Sequence, residues 1–136
     1  MRDAALPSYV DLPFGCPPEV SLRLPVPPSV NQLYGNRRGC RYKTKRYRDW
    51  LLQAGLYHVA QWRKTGELYG QGAYIVHIRI PQKLRGDADN RIKPILDFLV
   101  SRSVTDDDKH CQKVTCERDP NLTDFCEVNV WASKGG

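Results

Sequence analysis

Asp87 and Asp89 stand two residues apart, followed at once by Asn90 and, four residues after Asp89, by Lys93. On an extended backbone, side chains at i and i+2 point the same way about 6–7 Å apart, so the two carboxylates can share one hard divalent cation. Mg²⁺ takes one or two carboxylates and completes its shell with waters and substrate phosphate oxygens. The chemistry this suits is metal-assisted attack of water on a phosphodiester. Lys93 is spaced to lie one helical turn beyond the acids, where a cation stabilises charge developing on the phosphorane or the leaving oxygen. Asp97, a further turn along, is placed to orient Lys93 through an ion pair. Asn90 can hydrogen-bond a carboxylate or cap the helix. A third acid must come from elsewhere, and Asp106, Asp107 and Asp108 lie just beyond the intervening helix. The competing structural explanation is plain: acids ahead of a helix favour its dipole whether or not they bind anything.

A second constellation is basic. Arg37, Arg38, Arg41, Lys43, Lys45, Arg46 and Arg48 are seven bases within twelve residues, interleaved with Tyr34, Tyr42, Tyr47 and Trp50. Lys83, Arg85 and Arg91 bracket the Asp pair. The net charge of +6 is unevenly spread: residues 20–64 hold ten Lys or Arg against one acid, whereas residues 65–109 hold seven of each. Bases clustered beyond what solubility needs point to a polyanion, and the rings could stack on unpaired bases. A solvated helix face over core aromatics is the bland alternative, and Trp50 fits the core stripe better than a stacking role.

The elements that must position these residues follow from the hydrophobic pattern. At 136 residues the chain suits one domain with one core. No apolar run approaches the roughly 20 residues of a membrane span. The first residues lack the apolar core of a secretory signal, so the expectation is a cytoplasmic protein with free thiols. Five cysteines, Cys16, Cys40, Cys111, Cys116 and Cys126, form no Cys-x-x-Cys pair; a zinc site from His110, Cys111, Cys116 and Cys126 is the one grouping worth testing. Residues 1–18 read as a proline-bearing arm and residues 19–133 as the domain. Val20, Leu22, Leu24 and Val26 alternate as a strand over 19–26. A basic loop spans 31–42. Thr44 caps a helix with Tyr47, Trp50, Leu51, Ala54, Tyr57, His58 and Gln61 on one face, and Gly66 stops it. Strands follow at 74–80, 110–118 and 125–132. A second helix, over 91–102, has Asn90 as cap and Pro94 in its first turn. The fold class is α+β: a single small domain in the order β-α-β-α-β-β, its mixed sheet packed by two helices.

Together these pieces resemble the RusA family of Holliday junction resolvases. The similarity starts at the first strand and the Pro27-Pro28-Ser29-Val30-Asn31 turn, with Tyr34 and the basic loop behind it. It is strongest at Asp87-Ala88-Asp89-Asn90-Arg91-Ile92-Lys93, which matches the family's Asp-x-Asp-Asn-x-x-Lys core, and it continues through Asp97 to the distal Asp-Asp pair. The resemblance implies a homodimeric α+β endonuclease using Mg²⁺ or Mn²⁺ on four-way or branched DNA, with no organic cofactor. It assigns metal binding to Asp87, Asp89 and the second member of the distal pair, and catalysis to those acids with Lys93. An ungapped count from Lys93 selects Asp108 for that member, with Asp107 as the fallback and Asp106 as an extra acid. The N-terminal arm and Pro94 depart from the family pattern. The leading expectation is a metal-dependent, structure-selective endonuclease that resolves junctions by paired nicks in recombination and repair. The alternatives are a catalytically silent branched-DNA-binding protein and a Cys/His zinc module.

Overall fold

Six strands and two helices make up the fold in a computed structural model, which describes residues 18–65 and 72–132. The side chains of residues 62–65 and 108 lie outside the described set, as do the expected arm, Cys16 and the Gly66 stop. In chain order the elements are β1 (Val20–Pro25), β2 (Tyr34–Arg37), β3 (Cys40–Lys43), α1 (Lys45–Thr65), β4 (Tyr74–Pro81), α2 (Ile92–Ser101), β5 (Cys111–Asp119) and β6 (Phe125–Ala132).

Period-2 alternation builds the main sheet, ordered β1-β6-β4-β5. β6 runs antiparallel to both β1 and β4, while β4 and β5 are parallel. A parallel pair needs a crossover, and α2 supplies it. One sheet face carries Val20, Leu22, Leu24, Val76, Ile78, Ile80, Cys126, Val128 and Val130 into the core. There they meet Tyr47, Trp50 and Ala54 of α1 and Ile95, Phe98 and Leu99 of α2. Trp50 is a core residue, as its stripe predicts: its ring packs edge-on to Phe98 at 5.6 Å, and its indole N–H donates to the Pro25 carbonyl at 2.9 Å. The opposite face holds buried Ile75, His77, Arg79, Asn129 and Trp131. On it His77 hydrogen-bonds to Thr115 and, at 2.9 Å, to Glu117, whose carboxylate also takes the Arg79 Nε–H at 3.1 Å.

Helix α1 begins as expected, with the Tyr47 N–H donating to Thr44 Oγ1 at 3.2 Å. His58 is an edge residue: its Nδ1 accepts from Arg102 Nε at 3.0 Å. Three expectations are corrected. The basic loop is a hairpin, β2 paired antiparallel with β3, so the order gains two strands; with both faces wet it carries no apolar alternation to read. Asn90 does not cap α2. It lies in a 3-10 turn, Ala88–Arg91, that runs directly into the helix, and Arg91 holds the cap position without a capping bond from its side chain. The zinc candidates form no site: among the described residues no three of His110, Cys111, Cys116 and Cys126 gather closely enough to hold a metal, and His110 bonds Asp106 instead.

Candidate active site

Pro81 ends β4, and residues 82–86 turn the chain toward α2. Gly86 has φ +88°, a conformation that suits glycine. Two arginines brace this loop. Arg118 of β5 donates to the carbonyls of Gln82, Leu84 and Gly86. Arg91 donates to Pro27 O at 2.6 Å and Arg85 O at 3.3 Å. Its Nε is buried without a partner among the described residues. Burial lowers the Arg91 pKa; Cys126 opposes that shift, and the nearby cations Arg46 and Arg118 add to it.

The braced loop presents Asp87 and Asp89, both exposed. Asp87 is extended (φ −77°, ψ 140°) and stands at the start of the 3-10 turn, its carbonyl accepting the Asn90 N–H at 3.1 Å while its side chain caps nothing. Asp89 lies inside the turn. The pair is therefore not the simple extended i, i+2 arrangement: its backbone curls between the two acids. Neither carboxylate pairs with a described side chain. Two carboxylates on one braced loop offer about eight lone-pair sites, oxygen donors of the kind a hard cation takes, so these residues fit the metal that the sequence suggests.

Lys93 and Asp97 meet as expected, Nζ to Oδ1 at 3.1 Å. Asp97 and Asp107 line one groove of about 590 Å³ with Tyr34, Lys43 and Tyr47. Burial, then the neighbouring Tyr34 and Asp97, push the Tyr47 phenol up to about 12. In the acidic triplet, Asp106 is committed: its carboxylate accepts from His110 Nδ1 at 2.8 Å and from the Gly72 N–H at 3.4 Å. The His110 bond leads in holding its pKa below the ordinary carboxylate value. Asp107 Oδ1 accepts the Lys109 N–H at 3.0 Å, and its carbonyl accepts the Tyr74 hydroxyl at 3.1 Å. The backbone of Asp108 opens a 3-10 turn, Asp108–His110.

In the chain, ten-residue α2 stands between the Asp pair and the triplet. Among the described residues, no three His, Cys, Asp or Glu side chains gather closely enough to hold a metal.

The basic residues fall into three places. Lys45, Arg46, Lys83, Arg85 and Arg91 line a groove of about 900 Å³ beside the Pro27-Pro28 turn. Arg37, Arg38, Arg41 and Lys43 belong to the hairpin, and Arg48 is exposed on α1. Sequence reasoning missed Arg118 as the loop's brace. Its three acceptors lie 32 to 36 residues away in the chain, so no local pattern marks it.

Among known families, a model described as endodeoxyribonuclease RusA matches residues 25–130. A search of curated proteins finds no match.

Proposed function

Because the chain belongs to the RusA endodeoxyribonuclease family, a family of Holliday-junction-resolving endonucleases, we propose that it cuts branched DNA by metal-dependent hydrolysis as a homodimer. The observation that carries this reading is the pair of exposed, uncommitted carboxylates of Asp87 and Asp89 on an arginine-braced loop, flanked by the groove of Lys45, Arg46, Lys83 and Arg85.

Asp87 and Asp89 would hold Mg²⁺ or Mn²⁺, with Asp108, or failing it Asp107, as third ligand. When bound, such an ion supplies an acidified water and neutralises phosphate charge. The remaining steps fall to the chain itself. Lys45, Arg46, Lys83 and Arg85 of the groove draw a phosphodiester backbone past the acids. Asp97 fixes the Lys93 ammonium, which stabilises the charge that develops on the phosphate as the bond breaks.

A four-way junction is cut by paired nicks in strands related by two-fold symmetry, and a two-fold dimer presents two identical sites in that relation. Helix α1 supports a surface for the second copy. Leu52, Leu56 and Val59 are 70%, 70% and 60% exposed and fall on one helical stripe. Residues 50–62 of the same helix carry no charge.

The test is cleavage of a synthetic four-way junction with and without Mg²⁺. Wild-type protein should nick it only with the metal, and Asp89→Asn should bind the junction while cutting at least 100-fold more slowly, a loss typical of removing a metal ligand. Wild-type nicking rates in Asp89→Asn would sink the site; binding by wild type without any metal-dependent product would favour a catalytically silent junction binder.

A further inference from the structure

The basic segment that reads as one patch in the sequence is two devices in the fold. Lys45 and Arg46 open α1 and line the groove beside the Asp loop. Arg37, Arg38, Arg41 and Lys43 stand on the β2–β3 hairpin, which pairs with no strand of the main sheet. β3 is exposed along its whole length and β2 over its outer half. No Asp or Glu occurs between residues 20 and 48.

The hairpin is stiffened from within. Tyr42 lies across from Gly35 and covers it so closely that a Cβ there would stand 2.5 Å from the ring. The Arg41 guanidinium sits 3.8 Å above the Tyr34 ring centroid, a cation–π contact. Arg37 pairs with Cys40, so Arg38-Gly39 is a two-residue turn. Both residues have positive φ, 52° and 78°, as a type I′ turn requires. Glycine takes that conformation freely, whereas an arginine pays a steric cost for it. Among the described residues Arg38 has no hydrogen-bond or ion-pair partner that would offset the strain.

A ribbon of two four-residue strands is about 13 Å long with its strands about 5 Å apart. The major groove of B-DNA, about 12 Å wide and 8.5 Å deep, admits a two-stranded ribbon, whereas the minor groove, about 6 Å wide, does not. Building on the branched-DNA reading above, we propose that the β2–β3 hairpin enters the major groove of a duplex arm, with Arg38 at its tip reaching a base edge. Guanine N7 and O6 are the acceptors that match a guanidinium there. Arg37, Arg41 and Lys43 flank the tip and face the phosphates on either side, while Lys45 and Arg46 pass the strand on toward Asp87.

The hairpin carries its own probe, since Cys40 beside the tip is an exposed free thiol. Iodoacetamide labelling of Cys40, read by peptide mass in Ca²⁺ with a four-way junction, should slow at least tenfold at saturating DNA. Dimethyl sulfate, which methylates guanine N7, should reveal a protected guanine with wild-type protein. Arg38→Gly suits the turn's backbone and so keeps the fold; it should bind about tenfold more weakly and lose that protection, in line with one base-edge contact. If wild type binds no branched DNA, the functional reading itself falls. If wild type binds while Cys40 labels at its free rate, or Arg38→Gly protects the same guanine, the ribbon proposal falls and the functional reading stands.

Discussion

In the proposed mechanism Lys93 and Asp97 bear on rate far more than on stability. Their ion pair is solvent-facing, with Lys93 56% exposed, and such an i, i+4 pair stabilises a helix by about 0.3–0.5 kcal/mol. Asp97→Asn should therefore leave the melting temperature within about 2 °C. It should lower the single-turnover nicking rate about tenfold, because the ammonium loses the carboxylate that orients it; unchanged nicking would remove Asp97 from the mechanism. Glu117, paired with His77 on the sheet face away from the core, is placed to control a pH response instead. Desolvation pushes its pKa up, but hydrogen bonds from His77 and Arg79 outweigh it and leave the carboxyl below its ordinary 4.5. A depressed carboxylate stabilises the fold fully above its unfolded pKa, and that contribution is lost as pH falls through the depressed value. Denaturant titrations between pH 6 and 3 should show wild type losing stability on acidification below about pH 4.5 more steeply than Glu117→Gln. Parallel curves would show that the His77–Glu117–Arg79 cluster contributes nothing to acid sensitivity.

Among the elements, the loop between β4 and α2 carries the two acids, and a single strand residue fixes its shape. Arg118 satisfies three loop carbonyls at once, and hydrogen bonds from a charged donor are worth about 1.5–3 kcal/mol each when well shielded. These carbonyls are partly exposed, so Arg118→Gln should cost about 1–2 kcal/mol in all. Its larger effect should fall on the acids, since Gly86 immediately precedes Asp87. The Mn²⁺ concentration for half-maximal nicking should rise about tenfold while junction affinity in Ca²⁺ holds; an unchanged metal requirement would make Arg118 a purely structural brace. Arg118 also marks the limit of what the sequence discloses. β6 is legible to the residue at Phe125–Ala132 because apolar Cys126, Val128 and Val130 alternate with polar Glu127 and Asn129. The Lys93–Asp97 pair is legible because helical spacing is local. The hairpin is not, having no dry face, and neither is the curl at Asp89, where a 3-10 turn replaces the extended backbone that the Asp-x-Asp spacing suggests. The acidic triplet illustrates the same boundary: its composition is obvious, but only the fold commits Asp106 to His110.

At the scale of the whole molecule, the proposed resolution of a junction requires a domain with one Asp87–Asp89 loop to cut two strands. A second copy is the simplest answer, and the exposed stripe Leu52, Leu56 and Val59 offers the place. Apolar side chains that remain 60–70% exposed on the face of a helix that otherwise buries Tyr47, Trp50 and Ala54 would gain about 25 cal/mol for each Å² of apolar surface removed from water. An isologous interface repeats every contact across its axis, so a charge placed near the centre of the stripe meets its own copy. Leu56→Glu should then separate the protomers. Because Leu56 is exposed in one copy, the substitution should leave the circular dichroism spectrum intact. Light scattering should give about 31 kDa for wild type and the 15.6 kDa of one chain for the variant. Cruciform plasmid carries the argument to function: paired nicks linearise it, whereas uncoordinated nicks first give open circles. Wild type should yield linear product and Leu56→Glu should accumulate open circles at an undiminished initial rate of first-strand nicking if each site is complete within one chain. Should first-strand nicking collapse along with the dimer, the Asp87–Asp89 loop of one copy and the Asp106–Asp108 turn of the other would have to share a site. A variant that stays dimeric would place the interface elsewhere and leave the stripe without a partner copy.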